Sequence, residues 1–222
     1  TGREGGVVSS TGAHRVLGTP NGCYTQSGFA CYGPRVSITT YVLGAPYPEI
    51  DYAGGLPGGY DDPQYRIPEL IVLWGKEPLP SNGDGLFGHA VVDLMRRGTR
   101  LMTIDPRVTW IGTRADHHLQ LRPGTDAALG MAMLNVIIEE DLYDHDFVER
   151  WTYGFDELAN RVAEMPPERA AQITGVPAEE ICEAARAYAT AKPASIAWGL
   201  AIDQNVNGAQ AGHCILCLMA IT

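Results

Sequence analysis

The stretch LIVLWGKEPLPSNGDGLFGHAVVDLMRRGTRLMTIDPR, residues 70–107, decides the fold. It opens with the apolar run Leu70–Trp74, which predicts a buried strand. Apolar side chains at helical spacing follow over residues 83–97, Gly98 ends that helix, and Arg100–Ile104 is a second apolar strand. A strand, a helix and a second strand in this order predict a βαβ unit with parallel strands.

The rest of the chain continues this alternation. HLQL at residues 118–121 predicts a third short strand, residues 126–140 predict a long helix capped at Thr125, and SIAW at 195–198 predicts a further strand. The whole pattern predicts an α/β fold with a doubly wound, mostly parallel, Rossmann-like sheet and helices on both faces. Residues 45–68 are crowded with Pro, Gly, Asp and Tyr and are expected to form a long loop.

The composition excludes several classes of protein. The 222 residues are 45% hydrophobic, enough for one sizeable α/β domain or for one domain with pieces of another. The net charge is −10 and the 16 basic residues are spread thinly, which argues against nucleic-acid binding. No uninterrupted apolar run reaches the roughly 18 residues that would predict a membrane-spanning helix.

The cysteines and the chain ends bear on the cellular context. The five cysteines are odd in number and irregularly spaced, which argues against a disulfide framework and leaves room for one functional thiolate. The first residues lack an initiator Met and a signal-peptide pattern, and the last ones lie inside an apolar helical pattern. Both ends are therefore expected to be cut, and the compartment stays open between bacterial periplasm and cytoplasm.

The loops after the predicted strands are the places to look for a site, because parallel sheets of this kind bind ligands outside the carboxyl ends of their strands. Residues 75–81 could present helix N–H groups to a phosphate, or could be a plain connector. Asp105 could hydrogen-bond ribose hydroxyls, or form a turn before Pro106. Asp126 could accept two N–H donors from a guanine edge, or stabilise the helix dipole. No GxxxxGK[ST] or GxGxxG motif is present, so neither a P-loop nor a standard NAD fingerprint applies.

The thiols and one further carboxylate allow two interpretations each. Cys31, in GFACYGPR at residues 28–35, precedes a predicted helix; a thiolate there is a good soft metal ligand, although a lone Cys is more often a small buried hydrophobe. Cys214 and Cys217 form a CxxC inside an apolar helical pattern, which favours core packing over a redox or zinc site. Cys182 is expected to be buried in a helix, and Asp203 could face a substrate.

The motifs taken in order resemble one known family. ACYGPR, LWGKEP, IDPRVT, HLQLRPGTDAALGMAMLNVIIEEDLYDHDFV, QITGVPAEEICEAARAYA and GLAIDQNVNG are similar to those of the dimethyl sulfoxide reductase family of molybdopterin oxidoreductases, from about Gly18 to the end. The resemblance implies that residues 27–203, including the loop 45–68, are that family's Rossmann-like molybdopterin-guanine-dinucleotide-binding domain. Residues 1–26 and 204–222 would be partial segments of a neighbouring α/β domain.

The resemblance also implies a set of site residues. Cys31 matches the family's metal ligand, and it is expected to act in catalysis with Tyr32 and Arg35. Leu200 and Gln204 match the positions where the chain returns to the second domain, close to the metal. The expected cofactor contacts are the pyrophosphate and pterin loop Trp74, Gly75, Lys76, Glu77 and Pro78, and the ribose and guanine contacts Ile104, Asp105, Pro106, Arg107, Gly124, Thr125 and Asp126.

Two positions depart from the family pattern. Glu77 stands where the family usually has the Asn of WGxNP. The resemblance therefore does not imply that Glu77 makes the hydrogen bond that this Asn makes to the cofactor. Tyr32 stands where formate dehydrogenase-like members have a catalytic His, which predicts that formate is not the substrate.

The implied function is that of a fragment of a molybdenum or tungsten enzyme with a bis(molybdopterin guanine dinucleotide) cofactor. Such an enzyme performs oxygen-atom or hydroxyl transfer on a small molecule, coupled to two-electron redox, often in anaerobic respiration and with an iron–sulfur electron-transfer subunit. A 4Fe-4S cluster is expected only in an N-terminal part that precedes this sequence, and the chain alone is expected to be inactive. A non-redox hydratase or hydroxyl transferase on the same scaffold, and a non-catalytic nucleotide-binding module, remain alternatives.

Overall fold

The computed structural model describes residues 15, 16, 18, 33–45, 63, 65–81 and 86–222. The helices in this part of the chain are short and numerous, and most of them follow or precede a strand. In chain order the elements are α1 (Gly33–Leu43), β1 (Leu70–Trp74), α2 (Pro78–Ser81), α3 (Leu86–Arg96), β2 (Arg100–Ile104), a 3-10 turn (Gly112–Arg114), β3 (His117–Leu119), α4 (Asp126–Glu139), α5 (His145–Trp151), α6 (Phe155–Val162), α7 (Pro167–Thr174), α8 (Ala178–Thr190), β4 (Ala194–Trp198), α9 (Leu200–Asp203) and α10 (Gly208–Ile221).

The described strands form one parallel sheet in the order β3-β2-β1-β4. β1 pairs in parallel with β2, where Leu70 lies opposite Arg100, and with β4, where Leu70 lies opposite Ala194. The chain first winds from β1 outward to β3 and then returns to the other side of β1. The sheet is therefore doubly wound, as the sequence predicts, and its topological switch point lies between β1 and β4.

Helices cover both faces of the sheet because successive strand residues point to opposite sides. Leu70, Val72 and Trp74 belong to a large core that includes residues of α4, α8 and α10. Ile71 and Leu73 belong to a smaller core on the other face, built with residues of α3. Every residue of β1 is buried, which explains the uninterrupted apolar run in the sequence.

The boundaries of two predicted elements differ from those observed. β3 comprises residues 117–119 rather than 118–121. The Asp105 amide donates to the Leu119 carbonyl, but the next amide on that side of β2, that of Arg107, donates to the Asp105 carboxylate and does not extend the ladder. Gln120 instead uses its side chain to donate to the Pro106 carbonyl. α4 begins at Asp126 as predicted, but the Thr125 hydroxyl does not cap it; it donates backward to the Arg122 carbonyl over 2.7 Å.

Helix α1 packs against α10, near the two ends of the described chain. The position where Gly212 would carry a Cβ lies 3.1 Å from a methyl group of Ile38, and the rings of Tyr41 and His213 make an edge-on contact.

The division into residues 1–26, 27–203 and 204–222 stays a prediction. Among the described helices, none has the length and apolar character needed to span a bilayer.

Candidate functional site

The loops that follow β1, β2 and β4 meet at the carboxyl edge of the sheet. The amide of Gly75 donates to the Ile104 carbonyl over 2.8 Å, which joins the first loop to the end of β2. The amide of Gly199 donates to the Trp74 carbonyl over 2.9 Å, which joins the last loop to the end of β1. The loops after these three strands therefore lie together at one edge, as expected for a parallel sheet.

Two glycines allow the closest approach at the switch point. Gly75 has a φ of +57°, a conformation that L residues with side chains rarely adopt. A Cβ at Gly199 would lie 2.2 Å from the Gly75 carbonyl oxygen, so no larger residue fits there without moving the backbone. The loops after β1 and β4 consequently present main-chain groups, rather than side chains, at the point where doubly wound sheets bind ligands.

Asp126 supports the end of β1 from the start of α4. The indole N–H of Trp74 donates to its carboxylate over 2.9 Å, and both residues are buried. Burial raises the pKa of Asp126, while the bonds from Trp74 and from backbone groups oppose that rise. Asn207, in the loop after α9, donates to the carbonyl of Gly124 over 3.0 Å and so ties this corner to the loop after β4.

Asp105 and Arg107 form a compact pair at the end of β2. Asp105 is buried and accepts from the Arg107 backbone amide over 2.8 Å, from Nε over 3.1 Å and from the guanidinium terminus over 3.0 Å. These hydrogen bonds, followed by the charges of Asp105 and Glu77, raise the pKa of Arg107. The Arg107 side chain remains 67% exposed, so Asp105 holds in place a guanidinium that faces solvent at this edge.

Lys76 and Glu77 follow Gly75 and place opposite charges in the first loop. Glu77 is only 8% exposed. The Lys76 ammonium lies 4.4 Å from the centre of the Phe87 ring, a cation–π arrangement. Burial, and secondarily the positive charge of Arg35, lower the pKa of Lys76.

Arg35 reaches the same edge from the first turn of α1. Its guanidinium donates to the Asp203 carboxylate over 2.6 Å, and its backbone amide donates to the other oxygen of Asp203 over 3.1 Å. The guanidinium also lies 5.3 Å from the centre of the Trp198 ring. Asp203 thus faces Arg35 at the end of α9.

Comparisons with known proteins identify the family of the chain. A family model described as Molybdopterin oxidoreductase matches residues 66–222, which is most of the chain. The chain belongs to the molybdopterin oxidoreductase family. Members of that family carry a molybdenum or tungsten pterin cofactor.

Individual molybdopterin enzymes are similar over nearly the whole chain. Acetylene hydratase of Syntrophotalea acetylenica is 37% identical over 90% of the chain, and formate dehydrogenase H of Escherichia coli strain K12 is 33% identical over 100% of it. The solved structure of acetylene hydratase from Pelobacter acetylenicus matches 96% of the chain with a TM-score of 0.76 and 35% identity. The chain spans only 26%, 29% and 27% of these three proteins, respectively.

The polar groups of the carboxyl edge suit a molybdopterin cofactor. Within the described residues, six buried side-chain polar atoms have no hydrogen-bond partner. Four of them belong to this edge: the donors Arg35 Nε and Trp198 Nε1, and the acceptors Glu77 Oε1 and Asn207 Oδ1. Buried polar groups normally have partners, and a pterin nucleotide offers both N–H donors and carbonyl and phosphate acceptors. The residues present therefore fit such a group.

The remaining residues of the predicted site have different surroundings. Cys31 and Tyr32 lie outside the described residues. Ile104 is fully buried and Pro78 is buried, so their side chains belong to the supporting core. The other members are at the edge: Thr125 is partly exposed, and Pro106, Leu200 and Gln204 are exposed.

Sequence reasoning missed the contributions of Trp198, Asn207 and the Arg35–Asp203 pair. Trp198 closes β4 and Asn207 lies after it in the quoted motif GLAIDQNVNG, so their place at the carboxyl end of that strand was the available signal. The pairing of Arg35 with Asp203 joins residues 168 positions apart, and no local pattern encodes it.

The CxxC motif lies within α10, where Cys214 packs against α4. Burial raises the pKa of Cys214 to about 12 and that of Cys217 to about 11, and the Cys214 thiol faces the Ala127 carbonyl at 3.7 Å. In the part of the chain that the structure describes, no three His, Cys, Asp or Glu side chains form a group able to hold a metal ion. Both thiols are therefore protonated at neutral pH and packed in the core.

Proposed function

We propose that this chain holds one pterin guanine dinucleotide of a molybdenum or tungsten centre at the carboxyl edge of its sheet. The observation that carries the proposal is the set of four buried polar atoms without partners at that edge, beside the exposed, fixed guanidinium of Arg107. Both donors and acceptors are present, as a pterin dinucleotide requires. When bound, the metal–pterin group supplies two-electron redox chemistry and a site for oxygen-atom or hydroxyl transfer.

Each part of the edge has a role in this proposal. Arg107, held by Asp105, pairs with phosphate or nucleotide oxygens, since a guanidinium forms strong charge-assisted hydrogen bonds with such acceptors. Gly75 and Gly199 allow close main-chain approach, and Asp126 keeps Trp74 in place beneath the ligand. These assignments make Asp105 and Asp126 supports of the site, whose oxygens are already engaged by protein donors.

Cys31 is the proposed protein ligand to the metal. A soft thiolate suits a molybdenum or tungsten centre that is otherwise held by pterin sulfur atoms. In the sequence Cys31 lies two residues before Gly33, where α1 begins. Tyr32 follows it where formate dehydrogenase-like members have His, so we propose a substrate other than formate.

The activity proposed for the whole protein is oxygen-atom or hydroxyl transfer to or from a small molecule, coupled to two-electron redox. We extend the proposal to a second pterin guanine dinucleotide, a 4Fe-4S cluster outside this chain and an iron–sulfur subunit that exchanges electrons. Each of these additions can be measured on the full-length protein by metal, iron and nucleotide analysis.

A non-redox hydratase is a second candidate, favoured by the similarity to acetylene hydratase at 37% identity. A hydratase adds water without net electron transfer, whereas the redox enzyme needs an external electron donor or acceptor. Turnover of a candidate substrate with and without a redox dye separates the two. Turnover that requires the dye supports the redox function, and dye-independent turnover supports the hydratase.

The cofactor site itself is tested by replacing Arg107 with Ala in the full-length protein. We expect the retained guanine nucleotide and metal to fall at least about tenfold, because one or two charge-assisted hydrogen bonds of roughly 1.5–3 kcal/mol each are lost. Arg186→Ala is the matched control, since Arg186 also pairs with a carboxylate, Glu140, but on an exposed surface away from the edge. Equal cofactor content in both variants would contradict the proposed site. A full-length protein that binds neither metal nor pterin would support the alternative of a non-catalytic nucleotide-binding module.

A further inference from the structure

The carboxylate of Asp203 is almost completely buried, and Arg35 engages both of its oxygens. Oδ2 accepts from the Arg35 guanidinium at 2.6 Å, and Oδ1 accepts from the Arg35 backbone amide at 3.1 Å. The side-chain exposure is 1% for Asp203 and 20% for Arg35. A buried carboxylate needs such compensation, and removing one partner of a buried pair leaves an uncompensated charge.

The backbone bond places Asp203 at a helix terminus. Arg35 is the third residue of α1, and the amides of the first turn have no partner within their own helix. Asp203 therefore serves as an N-terminal cap supplied from another element, and its negative charge is favourable at that end of the helix. The two bonds fix both the start of α1 and the direction of its Arg35 side chain.

The neighbouring charged groups make Arg35 depend on Asp203. Lys76, in the loop after β1, is close enough for the positive charge of Arg35 to lower its pKa. The Trp198 ring offers a weaker attraction at 5.3 Å, and Arg35 Nε has no partner. Without Asp203, Arg35 would face a like charge across the edge with only an aromatic ring to hold it.

We propose that Asp203 and Arg35 are positioning residues that hold the first turn of α1 on the cofactor edge, and with it the segment leading to Cys31. The inference rests on the proposed function of Cys31 as metal ligand. Gly33 lies two residues after Cys31, and two extended residues span only about 7 Å, so an anchored α1 terminus limits where the thiolate can reach. Arg35 then acts through the position of Cys31, and its Nε atom remains available to the proposed cofactor.

Hydrogen exchange tests the anchoring step without reference to the metal. In the full-length protein, Asp203→Ala removes both bonds, whereas Asp203→Asn keeps an acceptor for the Arg35 amide but loses the charge. We expect amides 35–39 to exchange at least about tenfold faster in Asp203→Ala, with a smaller increase in Asp203→Asn. Glu140→Ala, which breaks the exposed bidentate pair with Arg186, is the matched control and should leave these amides unchanged. Unchanged exchange in Asp203→Ala would overturn the anchoring.

Alkylation of Cys31 tests the link to the metal ligand. In the metal-loaded wild-type protein, iodoacetamide should modify Cys31 slowly, as expected for a coordinated thiolate. At a temperature where both proteins are fully folded, Asp203→Ala should raise that rate at least about tenfold, and Asp203→Glu should restore part of the protection. Faster exchange at α1 with unchanged alkylation of Cys31 would overturn the positioning role. Rapid alkylation of Cys31 in the wild-type holoprotein would instead refute Cys31 as the metal ligand. The hydrogen-exchange result would then still test whether Asp203 anchors the first turn of α1.

Discussion

The indole N–H of Trp74 donates a 2.9 Å hydrogen bond to the buried carboxylate of Asp126, joining the last residue of β1 to the first residue of α4. Trp74 is fully buried and Asp126 is 6% exposed. The bond therefore ties the sheet to the helix directly beneath the loops of the proposed cofactor site. It also explains why a carboxylate is retained in a buried position, where its charged form is disfavoured.

Asp126→Asn should make the protein more stable at alkaline pH and flatten the dependence of its stability on pH. Burial raises the pKa of Asp126 above its ordinary 3.8, so the folded state holds the proton more strongly than the unfolded state. The wild-type free energy of unfolding consequently falls as the pH rises from about the ordinary pKa through the raised one. Asn keeps an acceptor for Trp74 but has no charge to bury.

The measurement is chemical denaturation of wild type and Asp126→Asn between acid and mildly alkaline pH. Asp156→Asn, on an exposed position of α6, serves as the control and should follow the wild-type profile. A parallel pH profile for Asp126→Asn and wild type would show that Asp126 does not titrate as described.

Gly130→Ala should destabilise the protein even though Ala favours helices over Gly by about 1 kcal/mol. A Cβ at Gly130 would lie 2.6 Å from the Cβ of Cys214, so α4 and α10 would have to move apart. Overpacking of this kind costs about 1–3 kcal/mol. The melting temperature of the full-length variant measures the effect.

Gly212→Ala provides a graded comparison on α10. The new Cβ would meet the γ2 methyl group of Ile38 at 3.1 Å, a milder overlap than the 2.6 Å at Gly130, so a smaller shift of the neighbouring helix relieves it. Its melting temperature should fall less than that of Gly130→Ala. A higher melting temperature for Gly130→Ala than for wild type would contradict the observed helix contact.

The strands and the edge at which their loops meet could be predicted because their signals are local. Leu70–Trp74 is an apolar run that ends at Gly75, and the parallel arrangement then brings the following loops to one edge whatever the details of packing. Thr125 shows the limit of such signals. Its position before α4 is that of an N-cap, yet its hydroxyl donates to the Arg122 carbonyl. Which of these two hydrogen bonds the hydroxyl makes depends on the preceding turn.

The polar pairs of the site depend on tertiary structure and could not be predicted in the same way. Asp105 is the exception: its bond from the Arg107 amide two residues away is a local turn, the alternative to a ribose contact that the sequence allowed, and it shifts the proposed ligand contact to Arg107. Arg35 and Asp203 come together only because α1 packs beside α9 and α10. Cys182 was expected to be buried and is half-buried, since only part of α8 faces the core.

Cys31 provides the most direct test of the proposed function. The Cys31→Ala variant of the full-length protein should lose turnover, because the thiolate is the proposed protein ligand and tunes the metal. Cys182→Ala is the control: it should retain activity and lose less than about 1 kcal/mol of stability, because Cys182 is only partly buried. Both variants should keep their pterin content and a melting temperature close to that of wild type.

The deciding measurement is X-ray absorption at the molybdenum or tungsten edge of wild type, Cys31→Ala and Cys182→Ala. The proposal predicts that Cys31→Ala alone loses one sulfur neighbour of the metal, with the pterin sulfurs still bound. The same sulfur coordination in Cys31→Ala as in wild type, together with full activity, would contradict it.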